Sequence, residues 1–334
     1  METFIKEISE TKKEISVKIP YEEFDKFVQQ ATDELIKEVE IKGFRKGQAP
    51  KDLAIKNIKQ EDILQQAVRL AIKEIYPAIA KENKLEVIGP PEVEVLKLAP
   101  ANPLELRIKV SVMPKVDLPD YKEIASSVKL EESVVSDEEI EQAFKQLQEA
   151  KEKIPPEQKD KIKFDHPAEL KKILRQEIQK EKEAIRKGKI RNDILKSISE
   201  KCEFEVPEIL ISVEKRRMMD DIKRNVQQVL KMTFEDYLKK VQKTEKELED
   251  SLTPEVKERI KRIMILGKIQ VKENIEASEE ELEKEIQGFL NHPANAKVKD
   301  QIDQTALRTY LKERIEDEKT LQLLESLATK QLNN

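Results

Sequence analysis

Tryptophan is absent from this 334-residue sequence, and aromatic residues of all kinds make up 4% of it. A compact enzyme of this length usually carries a larger aromatic core, so the composition points to long solvated helices with a large surface relative to core. Cysteine occurs once, at Cys202, which excludes an internal disulfide and fits a reducing cytosol. The two histidines, His166 and His292, each precede a proline and have no cysteine or histidine partner at ligand spacing. Both read as helix-entry residues, and no metal is expected. Glycine is also scarce, and Gly267 and Gly288 stand isolated. No phosphate-cradling glycine loop is therefore present, and neither ATP nor another cofactor is implied. No apolar run approaches the ~20 residues that a membrane-spanning helix needs. The start, METFIKEISETKKEISVKIP, alternates charge with Ile and Val and is unlike a signal peptide. The expected compartment is the cytoplasm, with no membrane partner.

What the sequence has in quantity is charge. Charged residues make up 39%, with 63 basic against 68 acidic side chains and a net charge of −5. Bulk charge thus argues against a general binder of nucleic acid, and any RNA contact must come from a local basic patch. The apolar residues are periodic rather than sparse, which argues against disorder.

The periodicity divides the chain. Residues 2–19 read as two strands ended by Pro20. Phe24, Val28, Ala31, Leu35 and Val39 step by three or four and predict a helix over 21–40. A short helix follows Pro50, and a longer one covers 61–83. Alternation returns at Val93 and Val95 and at Leu104, Leu106, Ile108 and Val110, so residues 1–113 form an α+β unit that PDYKEI closes. Residues 114–160 read as a linker: a short strand, SVKLEESVV, then a helix opened by a Ser136/Glu139 capping box, then a proline-bearing charged run. Residues 161–334 are nearly all helix. One helix spans PEILISVEKRRMMDDIKRNVQQVLK, with Ile209, Val213, Ile222, Val226 and Val229 near helical spacing. Thr233 and Thr253 read as N-caps, the latter before Pro254. No fixed-period repeat is evident.

One stretch stands apart. KGFRKGQAP, residues 42–50, places two of the six glycines around a phenylalanine and two cations. Residues 42–59 hold six cations (Lys42, Arg45, Lys46, Lys51, Lys56, Lys59) against the single acid Asp52. Read plainly, this is a solvated helix–loop–helix connection punctuated by Gly43 and Gly47. Read functionally, Phe44 lies outside the preceding apolar stripe, and an aromatic beside Arg on a basic face suits a partner rich in phosphate or carboxylate.

The pattern Gly43-Phe44-Arg45-Lys46-Gly47-Gln48-Ala49-Pro50 between two helices resembles the docking signature of the trigger factor family of bacterial chaperones. PDYKEI with the SDEEIEQAF helix, FDHPAELKKILRQEI and VPEILISVEKRRMM extend the resemblance over nearly the whole chain. It implies an α+β N-terminal ribosome-binding domain, then an extended, mostly α-helical C-terminal chaperone domain with arm-like helices. It implies docking beside the peptide exit tunnel of the large ribosomal subunit, on protein and rRNA. Gly43, Phe44, Arg45, Lys46, Gly47 and Pro50 are the matching positions, with Lys42, Lys51, Lys56 and Lys59 as a supporting basic patch. The implied activity is ATP-independent holding of nascent and unfolded polypeptides. Flexible methionines adapt to varied partners, so Met218, Met219, Met232 and Met264 are candidates to line a substrate cradle; the alternative is that they pack helix on helix.

The chain departs from the family where an FKBP-type peptidyl-prolyl isomerase domain usually sits. Only AKEKIPPEQKDKIKF separates the flanking elements, far short of the roughly 50 residues an independent domain needs. No isomerase activity is expected. Two other readings stay open: a ribosome-independent cytosolic holdase or assembly chaperone, dimeric through its N-terminal unit, and a helical scaffold whose basic loop contacts RNA alone.

Overall fold

The computed structural model describes residues 1–45, 47–128, 134–152, 167–295 and 302–329. In chain order the elements are β1 (Glu2–Ser9), β2 (Lys12–Ile19), α1 (Tyr21–Glu38), α2 (Lys51–Asn57), α3 (Gln60–Glu82), β3 (Val87–Lys97), β4 (Leu104–Val112), α4 (Tyr121–Ser127), α5 (Asp137–Glu152), α6 (Pro167–Lys201), α7 (Glu208–Gln228), α8 (Phe234–Val241), α9 (Glu245–Ser251), α10 (Thr253–Glu273), α11 (Glu279–Asn291) and α12 (Gln304–Thr329). They divide into two compact units. One combines Met1–Lys115 with Phe204–Ile260, the other Val116–Glu203 with Lys261–Asn334.

In the first unit, β1-β2-β4-β3 form an antiparallel sheet. Period-two alternation sends Ile15, Val17 and Ile19 of β2, with Leu104, Leu106, Ile108, Val110 and Val112 of β4, into a core closed by α1 and α3. Phe24, Ala31, Ala67, Ala71 and Ile79 complete it from the helices. The opposite face of the sheet is charged, and its signs alternate from strand to strand. Glu2, Lys18, Glu105 and Lys97 form one row, and Lys6, Glu14, Lys109 and Glu92 another. Arg107, between these rows, pairs with Glu94 at 2.9 Å and Glu14 at 3.7 Å. Opposite charges at cross-strand positions each contribute a few tenths of a kcal/mol, and like charges there cost as much.

The 204–260 segment adds α7, α8 and α9. Ile211, Met219 and Val226 of α7 are buried, as are Leu248 and Val256. The apolar spacing of α7 splits between two faces, because Val213 and Val229 are exposed. The start of α7 meets the sheet at Gly89, whose φ is +70°. A Cβ there would stand 2.2 Å from the Ile209 side chain, so only glycine fits. Thr233 caps α8, its hydroxyl accepting from the Asp236 N–H at 3.2 Å. Thr253 is the first residue of α10 rather than its cap: the Val256 N–H donates to the Leu252 carbonyl at 2.9 Å, so the last turn of α9 feeds directly into α10.

In the second unit, PDYKEI opens a helix, α4, instead of closing the N-terminal unit. Asp120 caps it through the Glu123 N–H. Tyr121, Ile124 and Ala125 are buried, and the Tyr121 hydroxyl donates to Glu273, which Lys122 also pairs at 2.8 Å. Tyr121 and Ile124, with the small Ala125, make this turn a packing element, a pattern hidden by the adjacent prolines. Of the expected strand at 127–135, residues 129–133 lie outside the described residues; Ser127 ends α4, and residues 134 and 135 are not in a strand. Ser136 and Glu139 do form the expected capping box at the start of α5. Arg191 of α6 reaches Glu318 and Glu325 of α12, and the Gln270 amide of α10 donates to Asp317 at 2.7 Å. Leu282, Leu307 and Leu311 form the core between α11 and α12.

A second capping box opens α11, where Ser278 and Glu281 bond reciprocally. The Lys319 ammonium, then the Ser278 N–H and hydroxyl, hold the Glu281 carboxyl down at about 2. A carboxylate whose pKa falls on folding stabilises the fold above its unfolded pKa. That contribution is lost as pH drops from the ordinary value of 4.5 toward about 2. A carboxyl-carbon NMR titration should place Glu281 near the lower value and move it upward in Lys319→Ala. An ordinary Glu281 midpoint in the wild type would refute the pairing.

Candidate functional site

The loop from Val39 to Pro50 leaves the sheet-and-helix unit between two anchored ends. At one end, the Val39 N–H closes α1 on the Leu35 carbonyl at 2.9 Å. At the other, the Pro50 carbonyl accepts from the Leu53 and Ala54 N–H groups, each at 3.0 Å, and starts α2. Ala54 is wholly buried and Ile58 packs against the core, so α2 is held down by its smallest apolar side chain. Between the anchors the Phe44 N–H donates to the Ile41 carbonyl at 3.0 Å and the Gln48 N–H to the Arg45 carbonyl at 2.9 Å. These two bonds fold the tip back on itself.

Gly47 sets the return path. Its φ is +72°, and a Cβ there would lie 3.1 Å from the Lys37 carbonyl oxygen in the last turn of α1. Gly43 also has positive φ, at +92°, but faces open space. Phe44 is 44% exposed, so this aromatic belongs to no core. Arg45 beside it is exposed, as are Lys42, Lys56 and Lys59. Lys51 is committed to a neighbour: its ammonium meets Asp33 of α1 at 2.7 Å and lowers that carboxyl's pKa. Lys46 lies outside the described residues. The loop thus brings Phe44, Arg45 and Lys42 to one short segment, with Lys56 and Lys59 on and just after the helix it feeds.

Leu53 and Ile55 of α2 are exposed as well, and the sequence reading missed them. The signal was available: successive helical residues point about 100° apart, so Leu53, Ala54 and Ile55 cannot share a buried face. The result is a mixed surface on residues 42–59, apolar at Phe44, Leu53 and Ile55 and positive around them.

The methionines divide. Met219 and Met264 are 5% and 9% exposed and pack in the interior of their units, which is the helix-on-helix alternative. Met218 and Met232 are half-buried. The apolar groups that do reach solvent in the 204–260 segment are Val213, Val229 and Leu230, the last two just beyond the end of α7. In the second unit they include Ile173, Ile185, Ile263, Val271 and Tyr310. Each is set among charged neighbours. Among the described residues no His, Cys, Asp and Glu side chains cluster as a metal site would, and no helix is long and apolar enough to cross a membrane. Burial pushes the Cys202 thiol pKa up, so it is no activated nucleophile.

Gly47→Ala should destabilise the protein by about 1 kcal/mol, because alanine pays for both the left-handed backbone and the contact with Lys37. Gly43→Ala, with the same backbone demand in open space, should cost less. Urea denaturation of the two variants checks this; an equal or larger loss at position 43 would contradict the geometry.

Comparison with known proteins places the whole architecture. Residues 1–147 match the family described as bacterial trigger factor protein, and residues 168–326 match the bacterial trigger factor C-terminus. The trigger factor of Thermobifida fusca is 31% identical over 175 residues, covering 51% of this chain and 37% of that protein. That of Corynebacterium aurimucosum is 33% identical over 147 residues, covering 44% and 32%. These alignments therefore span about a third of each relative. The trigger factor of Caldicellulosiruptor saccharolyticus aligns at 23% identity over 86% of this chain and 87% of its own length. That alignment runs over 385 positions, more than the chain's 334 residues, so the relative carries residues inside the span with no counterpart here. A solved trigger factor chaperone, studied for promiscuous substrate recognition in folding and assembly activities, superposes with a TM-score of 0.59. At 18% identity over 98% of this chain and 99% of that one, it shares the fold. With its N-terminal and C-terminal parts each matched in order, the chain belongs to the trigger factor family.

Proposed function

We propose that this protein is an ATP-independent chaperone that docks on the large ribosomal subunit beside the exit tunnel and holds nascent or unfolded polypeptides. The observation that carries the reading is Phe44 with Arg45, both exposed at the tip of a loop whose two ends are anchored in packed structure. An exposed aromatic and a guanidinium are the side chains that most often anchor an interface. Lys42, Lys46, Lys56 and Lys59 add the positive field that ribosomal RNA would attract. In this account residues 1–113 dock, residues 114–160 connect, and residues 161–334 take the substrate in the cytoplasm.

Holding unfolded chains requires apolar contacts that do not select a sequence. Val213, Val229 and Leu230, with the half-buried Met218 and Met232, offer small apolar spots on charged helices. Such dispersed spots bind weakly and reversibly. Residues 148–167, between the two family matches, are too few for a proline-isomerising domain. In this reading the function rests on binding rather than catalysis.

The test is ribosome co-sedimentation of the wild type and a Phe44→Ala/Arg45→Ala/Lys46→Ala variant at low and moderate salt. The wild type should pellet with ribosomes, less so at higher salt, and the variant should stay in the supernatant. Each lost anchor costs roughly 2 kcal/mol. A variant that pellets like the wild type sinks the docking reading, and a wild type that never pellets favours a ribosome-independent holdase. The same preparation should not accelerate isomerisation of a proline peptide above its uncatalysed rate.

A further inference from the structure

The loop at 42–50 returns along the helix it left. Gly47 passes the Lys37 carbonyl in the last turn of α1. Four residues on, Lys51 meets Asp33, one turn further back on the same helix. The two contacts differ in kind. The first is backbone against backbone and needs only a glycine. The second is an ion pair at 2.7 Å between side chains that are each more than half exposed. Lys51, and less strongly Lys37, hold the Asp33 carboxyl below the usual carboxylate range.

Helix α2, which Lys51 opens, has little of its own to fix where it starts. It has seven residues, its buried residue is Ala54, and Pro50 ahead of it supplies no side-chain cap. Helices this short are marginal without outside contacts, and a cation in the first turn opposes the helix dipole. Asp33 relieves that conflict by pairing the Lys51 charge to α1. We infer that Asp33 and Lys51 are positioning residues for docking: their ion pair sets the return of the loop so that Phe44 and Arg45 are presented ready-formed, and Lys51 is not itself a phosphate contact. This rests on the docking reading and adds to it two residues that act through the loop. An exposed pair adds little to global stability. It still governs affinity, because apparent affinity scales with the fraction of molecules whose loop already has the binding form.

Titration of large ribosomal subunits with the full chain, at several salt concentrations, separates this role from direct contact. D33A removes an anion beside a basic surface, so general electrostatics alone would strengthen binding to RNA. Positioning predicts the reverse. D33A and K51A should each weaken binding roughly threefold, and the double variant no more than either. The swapped variant D33K/K51D should bind more tightly than either single variant, and the salt slope of K51A should match that of the wild type. A D33A variant that binds as well as the wild type, or better, overturns the inference. So does a swapped variant weaker than K51A, or a K51A salt slope lower by about one, the change expected when a phosphate contact is lost. In these three cases the wild type still binds and the docking reading stands. A wild type that never binds removes that reading and this one together.

Discussion

The packing of α1 and α3 over the sheet is the constraint on which the candidate site depends. Ala31 on α1 and Ala67 and Ala71 on α3 have no exposed surface, and around them Phe24, Ile79 and the inward residues of β2 and β4 fill one core. Small side chains let helix backbones approach closely, and a closely packed interior leaves little freedom in where a helix ends. The end of α1 therefore fixes where the loop departs, and Ala54 and Ile58 fix where it returns. Gly47 completes the arrangement by passing within contact distance of the last turn of α1. A rigid base with a solvated aromatic tip is what a docking element needs, since less freedom is lost when it binds.

The rest of the molecule meets an opposite requirement. The helices of residues 167–329 add paired charges to their apolar packing: Arg191 with Glu318 and Glu325, and Lys319 with Glu281. Exposed ion pairs contribute little each, but they leave scattered apolar side chains at the surface without gathering them into one adhesive patch. Val213, Val229 and Leu230, and Ile173, Ile185 and Val271 elsewhere, are of this kind. In the proposed function such a surface would hold many chains weakly and let them go without ATP.

Much of this was legible in the residues. The strands of the N-terminal unit alternate cleanly because one face is core and the other solvent, so β2 and β4 could be read directly. Helices with a threonine or serine cap and an acidic residue three residues on announced themselves, as at Ser136 with Glu139 and Thr233 with Asp236. The loop was legible because Gly43, Phe44 and Gly47 break an otherwise regular pattern. What stayed hidden depended on partners distant in sequence. Helix α4 sits between prolines, and only the pairing of Tyr121 with Glu273, 152 residues away, makes its burial evident. Val213 and Val229 share helical spacing with buried neighbours yet lie outside, because α7 packs along one narrow stripe through Ile211, Met219 and Val226. Met219 and Met264 looked adaptable in sequence and are packed in the fold. For Leu53 and Ile55 the 100° step between successive helical residues shows that three adjacent apolar residues cannot all be buried, but not which of them is, and in a seven-residue helix only the burial of Ala54 in the fold decides it.

The central claim is that one end of the molecule grips the ribosome while a different surface meets the growing chain. Site-specific photo-crosslinking on translating ribosomes tests this most directly, with the reactive group placed at position 44 in one preparation and at position 230 in another. The account predicts that position 44 crosslinks to a component of the large ribosomal subunit and position 230 to the nascent polypeptide. Crosslinks from position 44 to the nascent chain, or none from either position, would contradict it.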